Sequence, residues 1–116
     1  MAETPASGIK DYHAHVYFDA DHRDEAQRVR ARVEELFDVR MGRWHEKPIG
    51  PHPMWSYQIH FQPEIFDQIV PWLMLNREGL TVFLHPQTGD DLVDHRDSPI
   101  WMGRQVDLNL GMFEKD

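Results

Sequence analysis

The chain has 116 residues, of which 41% are hydrophobic and 28% charged, a length and composition typical of one globular domain. The formal net charge of −8, with histidines counted as neutral, argues against nucleic acids and anionic membranes as partners, because both would repel an acidic protein. The sequence has no cysteine and eight histidines, so thiolate ligands are excluded and any metal site must use nitrogen and oxygen ligands.

The N-terminus lacks the apolar segment of a signal peptide, and no apolar run approaches the roughly 20 residues needed to cross a bilayer. We therefore expect a cytoplasmic protein that does not bind membranes. Residues 1–10 are predicted to be a flexible tail, and residues 11–116 are predicted to form a single domain.

The first elements of this domain are a strand and a helix. Residues 12–18 (YHAHVYF) alternate between two kinds of side chain, which predicts a strand with one apolar face and one face rich in histidine. Acidic and capping residues follow at 19–24, and apolar residues then recur at steps of three and four up to residue 37. This spacing predicts an amphipathic helix with a charged outer face.

Two further strands are predicted in the middle of the chain. Residues 39–46 form the first of them, and residues 47–53 (KPIGPHP) form a loop because they are rich in proline and glycine. Residues 55–61 (WSYQIHF) alternate again, with their aromatic and aliphatic side chains on one face.

A second helix and a fourth strand complete the pattern. Pro63 fits the first position of the helix, and Pro71 inside its apolar stripe is expected to kink or restart it. Gly79 ends the helix, and residues 80–85 form the fourth strand. The polar residues 86–95 that follow are interpreted as a loop.

The elements follow the order β-α-β-β-α-β. Two right-handed crossovers on one antiparallel sheet give an α+β ferredoxin-like sandwich, with the strands in the spatial order 4-1-3-2. Near the C-terminus, residues 105–110 (QVDLNL) alternate once more and are predicted to add an edge strand or to pair with a second subunit.

This topology brings histidines from three strands together, because the start of central strand 1 lies beside the ends of strands 3 and 4. The histidines predicted to share the face opposite the helices are His13, His15, His60 and His85. Imidazoles at i and i+2 on one strand, together with a third from a neighbouring strand, can bind one ion. The alternative is that each is only a polar residue that faces water or forms a core hydrogen bond.

Polar residues outside these strands add further candidates. His52 and His95 lie in predicted loops, and loops held by a rigid sheet often carry catalytic groups. Asp94 can orient a neighbouring imidazole or act as a carboxylate ligand. Solvated turns are the alternative interpretation of both loops. Arg43, on the second strand, is a candidate to contact an anionic group of a substrate.

Several segments resemble the DOPA 4,5-dioxygenase family, in the same order as in that family: YHAHVYFD, HEKPIGPHP, VPWLMLNREGLTVFLHPQTGDDLVDH and PIWMG. The resemblance extends over residues 12–103. The family motifs H-x-Y-F, G-P-H-P, H-P-x-T-G-D and D-H match the chain at His15, His52, His85 and His95 respectively. They do not include His60. A ferredoxin-like fold is what the resemblance implies, in agreement with the order of elements.

The resemblance also implies an extradiol-type, non-haem iron(II) enzyme that opens the ring of DOPA or a related catechol with dioxygen. A histidine near the metal would deprotonate the catechol and later act as an acid. Spacing and resemblance together assign metal binding to His13, His15 and His85, and catalysis to His52 and His95. The residues expected to contact substrate are Tyr17, Arg43 and His60. Asp94 is expected to orient a histidine.

The ligand set and the class of function leave alternatives. Glu46 and Asp94 are candidates for a carboxylate ligand, although the number of histidines favours an all-histidine set. Zinc or another divalent metal can replace iron in a purified sample. The alternative function is that of a dimeric ferredoxin-like protein that binds a metal or a small ligand without oxygenase activity. We expect a homodimer in either case, because aromatic side chains lie on the open sheet face.

Overall fold

The structure is a computed structural model that describes residues 3–114, and it contains one five-stranded sheet and three α-helices in that range. The strands are β1 (Asp11–Phe18), β2 (Arg40–Met41), β3 (Trp55–Phe61), β4 (Thr81–Gln87) and β5 (Ile100–Met102). The helices are α1 (Arg23–Leu36), α2 (Phe66–Asn76) and α3 (Asp91–Arg96). All strand pairs are antiparallel, and the spatial order is β2-β3-β1-β4-β5. The predicted ferredoxin-like strand order 4-1-3-2 is confirmed.

Side-chain alternation along β1 gives the sheet two different faces. Ala14 and Val16 are completely buried in the hydrophobic core, whereas His13 and His15 project to the opposite face. The two long helices supply the other side of this core through Ala26, Val29, Val33, Ile69 and Leu73. Because α1 and α2 cover only one face, the histidine-bearing face is left for shorter segments and for a site.

The second helix follows the predicted boundaries closely. Pro63 begins a 3-10 turn that leads into α2, and α2 continues through Pro71 as one helix, so the helix does not restart at this proline. Glycine fits the turn after the helix, since Gly79 has a φ of 78°. This turn leads directly into β4, the strand that carries His85.

The strand predicted at residues 39–46 is mostly irregular. Regular pairing ends at Met41, and beyond it only a backbone hydrogen bond from Gly42 to Gln58 (2.7 Å) and a single bridge between His45 and Ser56 attach this segment to β3. The segment therefore leaves the ladder and forms one wall of a pocket.

The C-terminal part differs from the prediction in two places. The extra strand lies at Ile100–Met102, beside β4, and residues 105–110 do not add the predicted edge strand to this sheet. Gly103, with a φ of 83°, follows β5. The backbone N–H of Asn109 then donates to the carbonyl of Pro51 (2.9 Å), so this segment contacts the loop of residues 47–53 and does not extend the sheet.

The start of the chain approaches the sheet before β1 begins. Residues 1 and 2 of the predicted tail lie outside the described residues. The remainder contains a 3-10 turn at Ala6–Gly8, and the Lys10 N–H donates to the Gln87 carbonyl at 2.9 Å. Within residues 3–114, no helix combines the length and hydrophobicity that a membrane span requires.

Candidate metal centre

Three histidines lie side by side across the centre of the sheet. His13 of β1 is directly opposite His60 of β3 on one side and His85 of β4 on the other. Directly opposed residues project to the same face, and the ring centroids of His60 and His85 are each 5.3 Å from that of His13. His15, two residues further along β1, projects to this face as well. The structure therefore brings together the four strand histidines.

His15 and His85 make the closest contact in this group. Their Nε2 atoms are 3.1 Å apart, and their rings are inclined by only 14°. His85 Nδ1 lies 3.0 Å from the Pro86 carbonyl oxygen. Since a carbonyl only accepts, Nδ1 carries the proton and Nε2 of the neutral ring has a free lone pair. Both side chains are buried, with His15 5% and His85 1% exposed.

The donor set and its spacing fit a transition-metal ion. His13, His15 and His85 each offer a ring nitrogen, and these atoms lie within 4.8 Å of one another. Two nitrogens that bind one ion at about 2.1 Å, roughly at a right angle, are about 3 Å apart. The 3.1 Å between His15 and His85 agrees with this spacing. Imidazole ligands suit iron, zinc or copper better than calcium or magnesium.

Burial keeps these imidazoles in the neutral form that binds metals. Desolvation is the largest cause of a lowered pKa in each case, and it brings the pKa of His13 to about 4 and that of His85 to about 3. The pKa of His15 is lowered well below its usual value, with repulsion from the neighbouring imidazoles adding to the effect of burial. At neutral pH, protons therefore compete little with a metal for these nitrogens.

His52 lies next to the metal-binding group and is hydrogen-bonded to Tyr17. A bridge between Ile49 and His52 places the imidazole 4.1 Å from the ring of His15, measured between centroids. The Tyr17 hydroxyl oxygen and His52 Nδ1 are 2.6 Å apart. Burial raises the pKa of Tyr17 and lowers the pKa of His52 to about 4. Both groups are therefore neutral near pH 7, and the pair shares one hydrogen-bonded proton.

The prediction that residues 86–95 form a loop is wrong for its second half. Asp91–Arg96 is helical, and the Asp90 carboxylate accepts a hydrogen bond from the Val93 N–H (3.2 Å) as the N-cap of this helix. A six-residue helix is too short for hydrophobic periodicity to reveal it. His95 is thus held by a helix, which fixes its direction relative to β4.

His95 faces the metal-binding group from the side of α3. Its Nδ1 lies 2.7 Å from the Asp91 carbonyl oxygen, so Nδ1–H donates and Nε2 takes no part in this hydrogen bond. The ring centroid is 4.0 Å from that of His85 and 4.4 Å from that of Phe113. His95 is outside the group of three ligand atoms but packs directly against one of its members.

Neither carboxylate considered from the sequence contacts the histidines. Glu46 accepts two hydrogen bonds from Arg23 and one from Trp44 at an exposed position. Asp94 is buried, and its two oxygens accept hydrogen bonds from the N–H and the hydroxyl of Thr88, at 2.8 and 2.6 Å. The structure therefore gives Asp94 a different partner from the predicted imidazole: it connects α3 to the end of β4.

A pocket of about 280 Å³ opens beside the metal-binding group, close to the lower end of the usual range for ligand sites. Its lining includes His15, His52, Arg43 and Gln58, together with His45, which the sequence pattern did not single out. None of the salt bridges among the described residues uses Arg43. Its guanidinium thus supplies this pocket with a positive charge that no carboxylate neutralises.

Two other residues predicted to contact substrate, Tyr17 and His60, do not line this pocket. Tyr17 is 1% exposed and lies behind His52, so it contacts the imidazole and does not line the pocket. His60 Nε2 is 2.8 Å from Asp11 Oδ2. The sequence analysis did not include Asp11 among the site residues. Its position two residues before His13 places it on the same face of the strand, and this spacing could have identified it.

Comparisons with known proteins identify the family of this chain. The model of the Dopa 4,5-dioxygenase family matches residues 12–112. An uncharacterized 21.2 kDa protein from Botryotinia fuckeliana is 34% identical over 94% of this chain and 67% of its own length. A DOPA 4,5-dioxygenase from Amanita muscaria is also 34% identical, over 90% of this chain and 50% of its own length.

A solved structure gives the same result for the fold. The crystal structure of a proposed dioxygenase from Nostoc punctiforme is 50% identical and superimposes with a TM-score of 0.93, with 96% of each chain covered. The chain spans about two thirds of the Botryotinia relative and half of the Amanita relative. Since the family model covers most of the sequence, the chain belongs to the Dopa 4,5-dioxygenase family.

Proposed function

We propose that this protein is an extradiol-type dioxygenase that opens the ring of DOPA or a related catechol with dioxygen at a non-haem iron(II) ion. The observation that carries the proposal is the buried group of His13, His15 and His85, which borders a pocket lined by His15 and His52. Membership of the family suggests the reaction class. The neutral imidazoles supply ligands that suit iron.

Three protein ligands leave coordination positions open around an ion. Bound iron(II) would supply adjacent positions for the two catechol oxygens and for dioxygen, and a route for electrons between them. One catechol and one O2 give one muconic semialdehyde, since both oxygen atoms enter the product. The chain has to orient the ring, move its protons and limit the access of water.

His52 is positioned to take a proton from the catechol. Its ring lines the pocket beside His15, and burial lowers its pKa to about 4, so it is neutral and able to accept a proton near pH 7. In the tautomer whose Nδ1–H donates to the Tyr17 oxygen, 2.6 Å away, the lone pair on Nε2 is free to accept this proton, and the resulting imidazolium keeps the same hydrogen bond. Tyr17 thereby orients the imidazole and stabilises its charged form. His95, whose ring packs beside that of His85, is the second candidate for proton transfer.

Arg43 points to a catechol that carries an anionic group. It lines the same pocket as His15 and His52, so a ring held at the metal-binding group can direct its substituent towards the guanidinium. A hydrogen bond between arginine and a carboxylate is worth about 1.5–3 kcal/mol when it is shielded from water. The amino-acid side chain of DOPA carries such a carboxylate.

The test is anaerobic reconstitution of the metal-free protein with iron(II), followed by DOPA and then oxygen. We expect uptake of one O2 per catechol and a yellow ring-opened product. The His15→Ala and His85→Ala variants should form no product, whereas His22→Ala, which removes an exposed histidine paired with Asp19, should retain full activity. Normal turnover in both ligand variants would remove the assigned site.

The alternative is a metal- or ligand-binding protein without oxygenase activity. Stoichiometric iron without O2 uptake on any catechol would favour it over the proposed function. A homodimer and a cytoplasmic location are further parts of the proposal. Sedimentation of the iron-loaded protein tests the dimer.

A further inference from the structure

We propose that Asp11, His13 and His60 form a second divalent-cation site, adjacent to the three-histidine centre and sharing His13 with it. Each of the three side chains offers a ligand atom, and these atoms lie within 4.8 Å of one another. The proposal does not depend on ring-cleavage activity, because it is argued only from the positions and chemistry of these residues.

The strand register holds the three residues together. Asp11 and His13 are two residues apart on β1 and therefore project to the same face. His60 of β3 is directly opposite His13. All three belong to regular strands in the middle of the sheet, so their backbones are fixed by the ladder hydrogen bonds. A site built on strands is positioned more accurately than one built on loops.

The carboxylate of Asp11 has an unused oxygen in this group. Its Oδ2 is 2.8 Å from His60 Nε2, whereas Oδ1 is buried and has no hydrogen-bond donor among the described residues. A buried acceptor without a partner carries a desolvation cost that no hydrogen bond offsets. A cation bound beside Asp11 would satisfy this atom and remove the cost.

The ligand types select the class of ion. Two imidazoles and one carboxylate form a set that binds first-row divalent metals such as iron(II), cobalt(II) and zinc, and it leaves further positions for water. An imidazole has two ring nitrogens, so His13 can serve both centres at once as an imidazolate, with its ring proton released to solvent when the second ion binds. Asp11 and His60 are the ligands that belong to the second site alone.

A surface pair elsewhere in the chain provides a comparison. Asp19 and His22 also form a close carboxylate–imidazole contact, at 2.6 Å, but both side chains are more than half exposed. Asp11 and His60 are 23% and 19% exposed, and a third ligand stands beside them. The Asp19–His22 pair is therefore a matched control that lacks the additional imidazole and the burial.

The two proposed centres should differ in their access to solvent. His15 and His85 are almost completely buried, whereas about a fifth of the side-chain surface of Asp11 and of His60 is exposed to solvent. An ion at the second site should consequently be the first that a chelator removes. This gives a kinetic measurement that separates the sites in the wild-type protein.

The experiment is titration of the metal-free full chain with cobalt(II), monitored by calorimetry and by the visible absorption of the bound ion. We expect two ions per chain for the wild type, and one for Asp11→Asn and for His60→Gln. Asp19→Asn should still bind two. Circular dichroism and thermal unfolding check that each variant is folded. Adding a chelator to the wild type should release one ion rapidly and the other slowly.

A single ion per wild-type chain would overturn the second site, as would two ions in Asp11→Asn. Loss of both ions in Asp11→Asn would show that the two groups form one centre, which also contradicts a separate site. These outcomes are distinct from failure of the proposed function, because a protein that binds two cobalt ions can lack any oxygen uptake with catechols.

Discussion

The Nε2 atoms of His15 and His85 are 3.1 Å apart, although 70 positions separate the two residues in the chain. The pairing of β1 with β4 produces this contact, since His85 is opposite His13 and therefore diagonal to His15. Two neutral imidazoles at this distance can share either one proton or one metal ion. With His85 Nδ1 committed to the Pro86 carbonyl, both interactions use the lone pair on His85 Nε2.

Removal of either imidazole should abolish iron binding at the three-histidine centre. We expect His15→Ala and His85→Ala to weaken it by more than the roughly 10–100-fold seen when a residue that only orients a ligand is lost. His60→Ala should have a smaller effect at this centre, because His60 pairs with Asp11. Anaerobic equilibrium dialysis with iron(II), followed by brief chelation to remove the ion of the more exposed second site, measures all three. Equal losses in His60→Ala and His85→Ala would contradict the assignment.

The metal-free protein should lose stability as the pH falls below about 6.5. The pKa of His13 and that of His52 are about 4 in the folded protein, against an ordinary value of 6.5. Between these values the unfolded chain binds more protons, so the free energy of unfolding decreases as the pH falls. Each such histidine contributes a loss of about 2 kcal/mol between pH 7 and pH 5.

Urea denaturation at the two pH values measures this effect. Saturating metal at pH 7 should stabilise the fold and should bind more weakly at pH 5, since protons and metal compete for the same nitrogens. An unfolding free energy that is the same at pH 7 and pH 5 would contradict the neutral, desolvated state of the histidines.

Tyr17→Phe should slow ring cleavage without changing iron affinity. The substitution removes the hydroxyl that is hydrogen-bonded to His52 Nδ1 but keeps the buried ring. We expect kcat to fall roughly 10-fold, as for the loss of a hydrogen bond that becomes charge-assisted when His52 is protonated. Tyr57→Phe is the matched control, because Tyr57 donates to the Ala26 carbonyl in the core on the other face. Unchanged kcat and an unchanged pH profile for Tyr17→Phe would exclude this role.

Arg43→Gln should discriminate between charged and uncharged catechols. We expect kcat/KM for DOPA to fall roughly 10–100-fold, and that for 4-methylcatechol to change little, because only DOPA offers a carboxylate to the guanidinium. Arg32→Gln is the control, since Arg32 pairs with Glu35 on the exposed face of α1. A parallel fall for both catechols would mean that Arg43 acts on the ring or on the fold.

The site could be predicted from the sequence where the regular alternation of a strand determines which face of the sheet each side chain projects to. The pattern of residues 12–18 assigns His13 and His15 to one face, and the crossover rule brings His60 and His85 beside them. His95 could not be placed in this way, because a short helix depends on the Asp90 cap and on packing against Phe113.

The remaining differences also have local causes. The irregular segment after Met41 is held by the Gly42–Gln58 and His45–Ser56 contacts, which hydrophobic alternation does not reveal. Asp11 begins its strand, and a polar residue at a strand end has no periodic signal of its own. Its contact with His60 depends on the cross-strand register, which the structure provides.

Anomalous diffraction at the iron edge, from crystals of the anaerobically iron-loaded protein, tests most directly whether His15 and His85 share an ion. The expected map has an iron peak about 2.1 Å from the Nε2 atoms of both residues, with His13 within reach as the third ligand. A map in which no iron peak lies within bonding distance of both nitrogens would contradict the three-histidine centre.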